Sequence, residues 1–140
     1  MIPSPSLLGS LRTELMRRRP FSQMRPEDVE TLVAGASQTY HAPGELIIGP
    51  ASGVMDCLYY VRSGSVMHRP SGQQVADFQF EAGDVFPLGA MMAQRAVTGT
   101  HTAHADTFCL RIGADLLREV AQRSPPLADF LNRSILTLLE

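Results

Sequence analysis

The middle of this chain is cut into short pieces, and that restricts its fold more than any other feature. Between Gln38 and Ile112 every apolar run is soon interrupted by turn residues. Pro43-Gly44 punctuates the first run. Glu45 to Ile48 is strand-like and leads into the loop Gly49-Pro50-Ala51-Ser52-Gly53. Leu58 to Arg62 is rich in β-formers and stops at Ser63-Gly64. Ser65 to His68 follows, and Arg69 to Gly72 turns again. Gln74 to Phe80 alternates: Ala76, Phe78 and Phe80 face one way, Val75, Asp77 and Gln79 the other. After Ala82-Gly83-Asp84 come two further strand-like runs, Thr98 to Ala105 and Thr107 to Ile112, with Phe108, Leu110 and Ile112 on a shared face. β-Branched and aromatic residues suit a pleated, half-buried surface, whereas glycine, proline and aspartate break it. Short strands at this spacing predict a sandwich or barrel rather than alternating βαβ units.

Helices are expected at both ends. Ser6 to Arg19 carries Leu7, Leu8, Leu11 and Leu15 at helical spacing, with Ser6 as cap. Arg17, Arg18 and Arg19 close it at the negative end of the helix dipole, and Pro20 stops it. Such a triplet reads as a solvated helix end, with a nucleic-acid contact as the sharper alternative. Arg25-Pro26-Glu27-Asp28 opens a second helix, with Val29, Leu32, Val33 and Ala36 on one face. Gly113-Ala114-Asp115 starts a short helix with Leu116, Leu117, Val120 and Ala121 inward. Ser124-Pro125 starts the last, along which Leu127, Phe130, Leu131, Ile135 and Leu138 form a stripe. An exposed stripe of this kind offers a surface for a second copy of the chain.

The 140 residues amount to about one domain. Its segments are an N-terminal helical part over 1–24, a β-roll over 25–112 and C-terminal helices over 113–140. The net charge of −2 leaves no electrostatic footprint for nucleic acid or an anionic membrane. All the basic residues are arginine, as the codon usage of a GC-rich bacterial genome produces. No apolar run reaches the length of a membrane span, and the first residues lack the pattern of a secretory signal. Cys57 and Cys109 have neither metal nor redox spacing and lie in apolar runs. A cytoplasmic protein with buried free thiols is the expectation.

Three stretches in order carry a resemblance: Pro43-Gly44-Glu45-Leu46-Ile47-Ile48, then Leu58-Tyr59-Tyr60-Val61-Arg62-Ser63-Gly64-Ser65-Val66, then Phe80-Glu81-Ala82-Gly83-Asp84-Val85-Phe86. They resemble the successive β-roll signatures of cyclic-nucleotide-binding domains. The similarity spans about residues 20 to 139. It implies a mainly β fold with flanking α-helices, an eight-stranded, jelly-roll-like double-stranded β-helix. It also implies a regulatory, non-catalytic role, with a cyclic nucleotide such as cAMP, or another small ligand, as effector. In the family, a short helix N-terminus and an arginine hold the cyclic phosphate, and a glutamate accepts from the ribose hydroxyl. The family's ligand cassette begins phenylalanine-glycine-glutamate and ends arginine-x-alanine-threonine.

This chain departs from that cassette. Phe86-Pro87-Leu88-Gly89-Ala90 has proline in place of the glycine and leucine in place of the glutamate. The end of the cassette aligns in two ways. Read forward, Arg95-Ala96-Val97-Thr98 matches the close and Arg95 is the phosphate ligand. Read backward from Asp106-Thr107, the arginine position falls near Val97, and Arg95 lies on the surface with no insertion needed. The expected ligand contacts are Phe86, Leu88, Gly89, Ala90, Arg95, Thr98, Gly99 and Thr100. Losing one partner of a hydrogen-bonded charge costs about 2–5 kcal/mol, roughly 30-fold or more in affinity. The cassette is therefore degenerate for tight binding of a cyclic nucleotide.

The variants Phe86-Pro87-Leu88-Gly89-Ala90-Met91-Met92 and Val97-Thr98-Gly99-Thr100-His101-Thr102-Ala103 resemble the N-terminal domain of bacterial signalling proteins that continue into a CBS pair and a nucleotidyltransferase domain. That resemblance implies regulation of downstream domains in the same protein. The alternative is the effector domain of a CRP-like transcription factor. A cupin-like metalloenzyme is a third class, but His101 and His104 point to opposite faces of a strand and do not readily grip one metal. His101 reads either as a pocket contact beside Gly99 and Ala103 or as an ordinary strand residue. Thr98, Thr100 and Thr102 share a face, as ligand partners or simply as β-formers. Met91 and Met92 read as core filler. No serine–histidine–acid set or Walker-type loop is present, so catalysis and metal ligation are not expected.

Overall fold

The computed structural model describes residues 5–72 and 76–139. Its elements run α1 (Pro5–Leu15), α2 (Pro26–Ala34), β1 (Ser37–His41), β2 (Leu46–Ile48), β3 (Cys57–Ser63), β4 (Ser65–Arg69), β5 (Phe78–Glu81), β6 (Val85–Phe86), α3 (Leu88–Ala93), β7 (Thr100–Ala103), β8 (Thr107–Gly113), α4 (Ala114–Ala121) and α5 (Pro125–Leu139). The strands form two four-stranded antiparallel sheets, ordered β1-β8-β3-β6 and β2-β7-β4-β5. One continuous core joins them to the helices, from Leu11 to Leu131.

The long strand β3 lies centrally in the first sheet and is buried from Cys57 to Val61. Successive side chains alternate between faces. Tyr60 meets Phe21 edge-on at 5.8 Å, on the helical side. Tyr59 stacks on Phe86 at 5.2 Å, on the other face. Both cysteines are buried and unpaired, and burial pushes the Cys109 thiol up to about 11.

α1 ends at Leu15 rather than continuing to Arg19. Met16 N–H still donates to the Arg12 carbonyl, but Arg17 and Arg18 donate three residues back, to Glu14 and Leu15. The chain tightens because Pro20 disfavours helical geometry at the residue before it. Arg17, Arg18 and Arg19 are exposed. Arg62 of β3 holds Glu14 of α1 through two bonds, Nε at 2.9 Å and Nη2 at 3.1 Å.

The alternating run Gln74–Phe80 is strand only from Phe78; Ala76 and Asp77 are not, and 73–75 lie outside the described residues. Likewise Thr98 and Gly99 stand outside β7, which begins at Thr100, and the strand stops at Ala103 rather than Ala105. A single neighbour explains the early ends of the two ladders. β4 stops at Arg69, after pairing His68 with Phe78 and Arg69 with Thr100. Pro70 then has no N–H to extend either ladder. The shared face of β8 holds at Leu110 and Ile112, which are fully buried, but opens at Phe108, 45% exposed against Tyr40.

The stripe on α5 is not a free surface along its first half. Leu127 and Leu131 are buried and Phe130 packs against the same core, so those residues serve the chain's own interior. The side chains of Ile135 and Leu138 lie outside the described residues.

Asp28 is the one fully buried carboxylate among the described residues, only 2% exposed. Arg123 Nε donates to it at 2.9 Å and Arg25 Nε at 3.4 Å, tying α2 to the end of α4. Burial alone would raise its pKa; the two guanidinium hydrogen bonds and charges outweigh that, and the net shift is downward. Its stabilising contribution is therefore present above the ordinary carboxylate range and is lost as pH falls through it. Asp28→Ala is expected to cost about 1–3 kcal/mol in urea unfolding at pH 7. An unchanged urea midpoint would contradict this.

Candidate functional site

A cavity of about 480 Å³ opens between α3 and the second sheet. Phe86 ends β6, Pro87 turns the chain, and α3 follows with Ala90 and Met91 buried. Gln94 ends α3 in the left-handed conformation, φ +55°. The turn is fixed by Arg95 N–H donating to the Ala90 carbonyl at 3.1 Å and Met55 N–H donating to the Arg95 carbonyl at 3.1 Å. Arg95 is thereby placed at the rim of the cavity, exposed yet part of its lining. Its guanidinium reaches only the Ala96 carbonyl, at 3.3 Å, and forms no ion pair among the described residues.

Phe86, Leu88, Gly89, Ala90, Arg95 and Thr98 come together in this lining. Gly99 and Thr100 do not line it. A Cβ on Gly99 would lie 2.2 Å from the Arg69 carbonyl oxygen, so this position is needed for a close backbone approach at the end of β4. Thr100 begins β7 opposite Arg69. Met91 is core, and His104 is exposed, well separated in environment from buried His101.

The rings of the lining are its main feature. His68 and His101 are direct partners across β4 and β7. Their rings are parallel within 10° and 4.2 Å apart. His101 is also parallel to Phe86 at 5.0 Å, and Phe86 to Tyr59 at 5.2 Å. The four rings thus form a column from the second sheet to the first. Phe80 flanks it, 5.3 Å from Phe86 and 5.9 Å from His101. Offset parallel rings at such spacings are attractive beyond their area burial.

His101 is 3% exposed. Burial, with a smaller contribution from His68, pushes its pKa down to about 3, and burial lowers that of His68 as well. Both are therefore neutral at pH 7. Nδ1 of His101 is sealed without a hydrogen-bond partner, whereas Nε2 is not sealed in this way. A buried N–H without an acceptor is rarer than a bare acceptor, so the proton belongs on Nε2. Among the described residues, no aspartate or glutamate lines the cavity. Arg95 is the one cationic side chain among the described residues of the lining, and its other polar side chains are Thr98 and the two imidazoles.

Sequence reasoning did not single out His68, Phe80 or Val85 as parts of this wall, whereas Pro87 and Val97 fell within the cassette without being named as contacts. His68 and His101 become neighbours only through strand register. Phe80 and Val85 carried a signal, since they flank the glycine-aspartate turn ahead of the cassette. Among the described residues, no group of three metal-ligating side chains is placed to hold an ion, and no helix is long and apolar enough to cross a membrane.

An eight-stranded antiparallel roll with this helix set is the cyclic-nucleotide-binding fold. The chain is similar to the sensor domain of the transcriptional regulator DNR from Pseudomonas aeruginosa, at 20% identity and TM-score 0.74, over 92% of this chain and 93% of that one. It is also similar to the regulatory domain of Toxoplasma gondii PKA crystallised with cAMP, at 15% identity and TM-score 0.76, over 90% of this chain and 48% of that one. A third is the N-terminal domain of a transcriptional regulator from Streptomyces coelicolor, at 22% identity and TM-score 0.65, over 90% and 91%. No family model matches the sequence, and neither does any curated protein.

Proposed function

We propose that this is a non-catalytic sensory domain whose cavity takes a small effector and does not hold a cyclic nucleotide tightly. The observation that carries this reading is the lining itself: Pro87 and Leu88 stand where the family places glycine and glutamate, and no carboxylate among the described residues lines the cavity. A sugar hydroxyl buried there would lack its acceptor. Phe86, Leu88, Gly89, Ala90, Arg95 and Thr98 contact the effector directly. Gly99 and Thr100 shape the adjoining strand end. The relay is short, because α3 packs against α5. A guest that moves α3 biases the terminal helix, a two-state shift rather than chemistry.

The output is regulation of another part of the same protein, in the cytoplasm. The cassette variants favour a downstream signalling enzyme with CBS and nucleotidyltransferase domains. Similarity to domains of two transcriptional regulators favours a CRP-like DNA-binding partner instead. The full gene sequence separates these. Calorimetric titration with cAMP and cGMP tests the pocket. Each is expected to bind no tighter than about 100 µM; a micromolar dissociation constant for either overturns the reading.

A further inference from the structure

The polar groups of the cavity are unevenly matched. Arg95 offers a cation that no carboxylate among the described residues satisfies. His101 lines the cavity, with Nδ1 sealed and without a partner and Nε2 not sealed in this way. With its proton on Nε2, it presents a donor. The rest of the wall is largely apolar or aromatic, notably Phe80, Phe86 and Leu88. A guest that fits has a flat apolar body, one negative charge and accepting oxygens, and it has no sugar hydroxyls to bury against Leu88. Flat rings pack well on ring walls, edge-to-face or offset. A carboxylate matches the fork of an arginine.

We propose that the effector is a planar aromatic monocarboxylate, with its ring against Phe80 and the ring edges of Phe86 and His101 and its carboxylate held by Arg95 and the His101 Nε2–H. This rests on the reading of the cavity as a sensory pocket and names the chemistry that the pocket selects. His101 and Arg95 are then the residues that set specificity. A cyclic nucleotide matches Arg95 through its phosphate but brings a ribose that this wall leaves unpaired.

The test is calorimetric titration of the full chain with 1-naphthoate, alongside its uncharged relative 1-naphthalenemethanol and cAMP. 1-Naphthoate is expected to bind at about 100 µM, in keeping with the energy such a small ligand can supply. The alcohol is expected to bind at least about tenfold more weakly. Arg95→Gln changes an exposed side chain, leaves the fold intact, and is expected to weaken 1-naphthoate about tenfold or more. His101→Phe keeps the ring column, removes the donor, and has the same expected direction. Equal binding of acid and alcohol, or no effect of Arg95→Gln, overturns the assignment. Silence of both aromatic probes and of cAMP also overturns the assignment while leaving the degenerate-pocket reading intact. Micromolar binding of cAMP overturns both.

Discussion

Gly64→Ala is expected to destabilise the fold by about 3–5 kcal/mol and to lower the melting temperature by roughly 10–20 °C. Gly64 makes the turn between β3 and β4 at φ +91°, where side chains are strained. A Cβ there would also stand 2.3 Å from the Asp106 carbonyl oxygen and 2.6 Å from Thr107 Oγ1. That threonine is fully buried and knits the turn together. Its hydroxyl lies 3.0 Å from the Ser65 carbonyl and 2.8 Å from the Ala105 carbonyl, and it accepts from Ser65 N–H at 3.3 Å. The methyl group therefore collides with backbone that cannot step aside without breaking the contact between β4 and β8. Gly44→Ala is the control. Its φ is +86°, but nothing lies within 4 Å of the new Cβ, so only the backbone strain of about 1–2 kcal/mol remains. Equal melting temperatures for the two variants would contradict the close approach.

The second large effect is an acid-side loss of stability from one histidine. His101 is held neutral, with its pKa pushed down to about 3 by burial and by His68, whereas in the unfolded chain it titrates near the ordinary value of about 6.5. Below that value the unfolded state binds a proton that the folded state refuses, so stability falls with pH. The window runs from the unfolded value down to the folded one. Between pH 7 and pH 4 this group alone is expected to remove about 3 kcal/mol. His101→Phe keeps a flat ring in the column and removes the titration. Its urea-unfolding free energy is expected to decline much less over the same interval. Parallel declines for the two proteins would mean that His101 is free to charge where it lies.

Much of this architecture was legible because it rests on local chemistry. Turn residues at Pro43-Gly44, Ser63-Gly64 and Gly83-Asp84 cut the middle into strands, and the stripes on α1, α2 and α4 announced their buried faces. What escaped was set by partners distant in sequence. The starts of two runs read as longer strands, Gln74–Phe80 and Thr98–Ala105, were limited by the neighbour's Pro70, which an isolated run does not reveal. His68 belongs to the cavity only because the ladder sets it opposite His101. The position of Arg95 depended on the left-handed turn at Gln94, which nothing in that residue type announces. Arg95 is exposed and stands at the rim of the cavity, a placement that neither alignment of the cassette specifies.

The departure at Leu88 is the centre of the functional account, and restoring an acid there tests it most directly. Leu88 lines the cavity at the start of α3, so Leu88→Glu brings a carboxylate to the wall that lacks one. In paired calorimetric titrations with cAMP, the unaltered chain should show no saturation below about 100 µM, and Leu88→Glu should bind about tenfold more tightly or better. Micromolar binding by the unaltered chain, or an affinity that the new carboxylate leaves unchanged, would contradict the account.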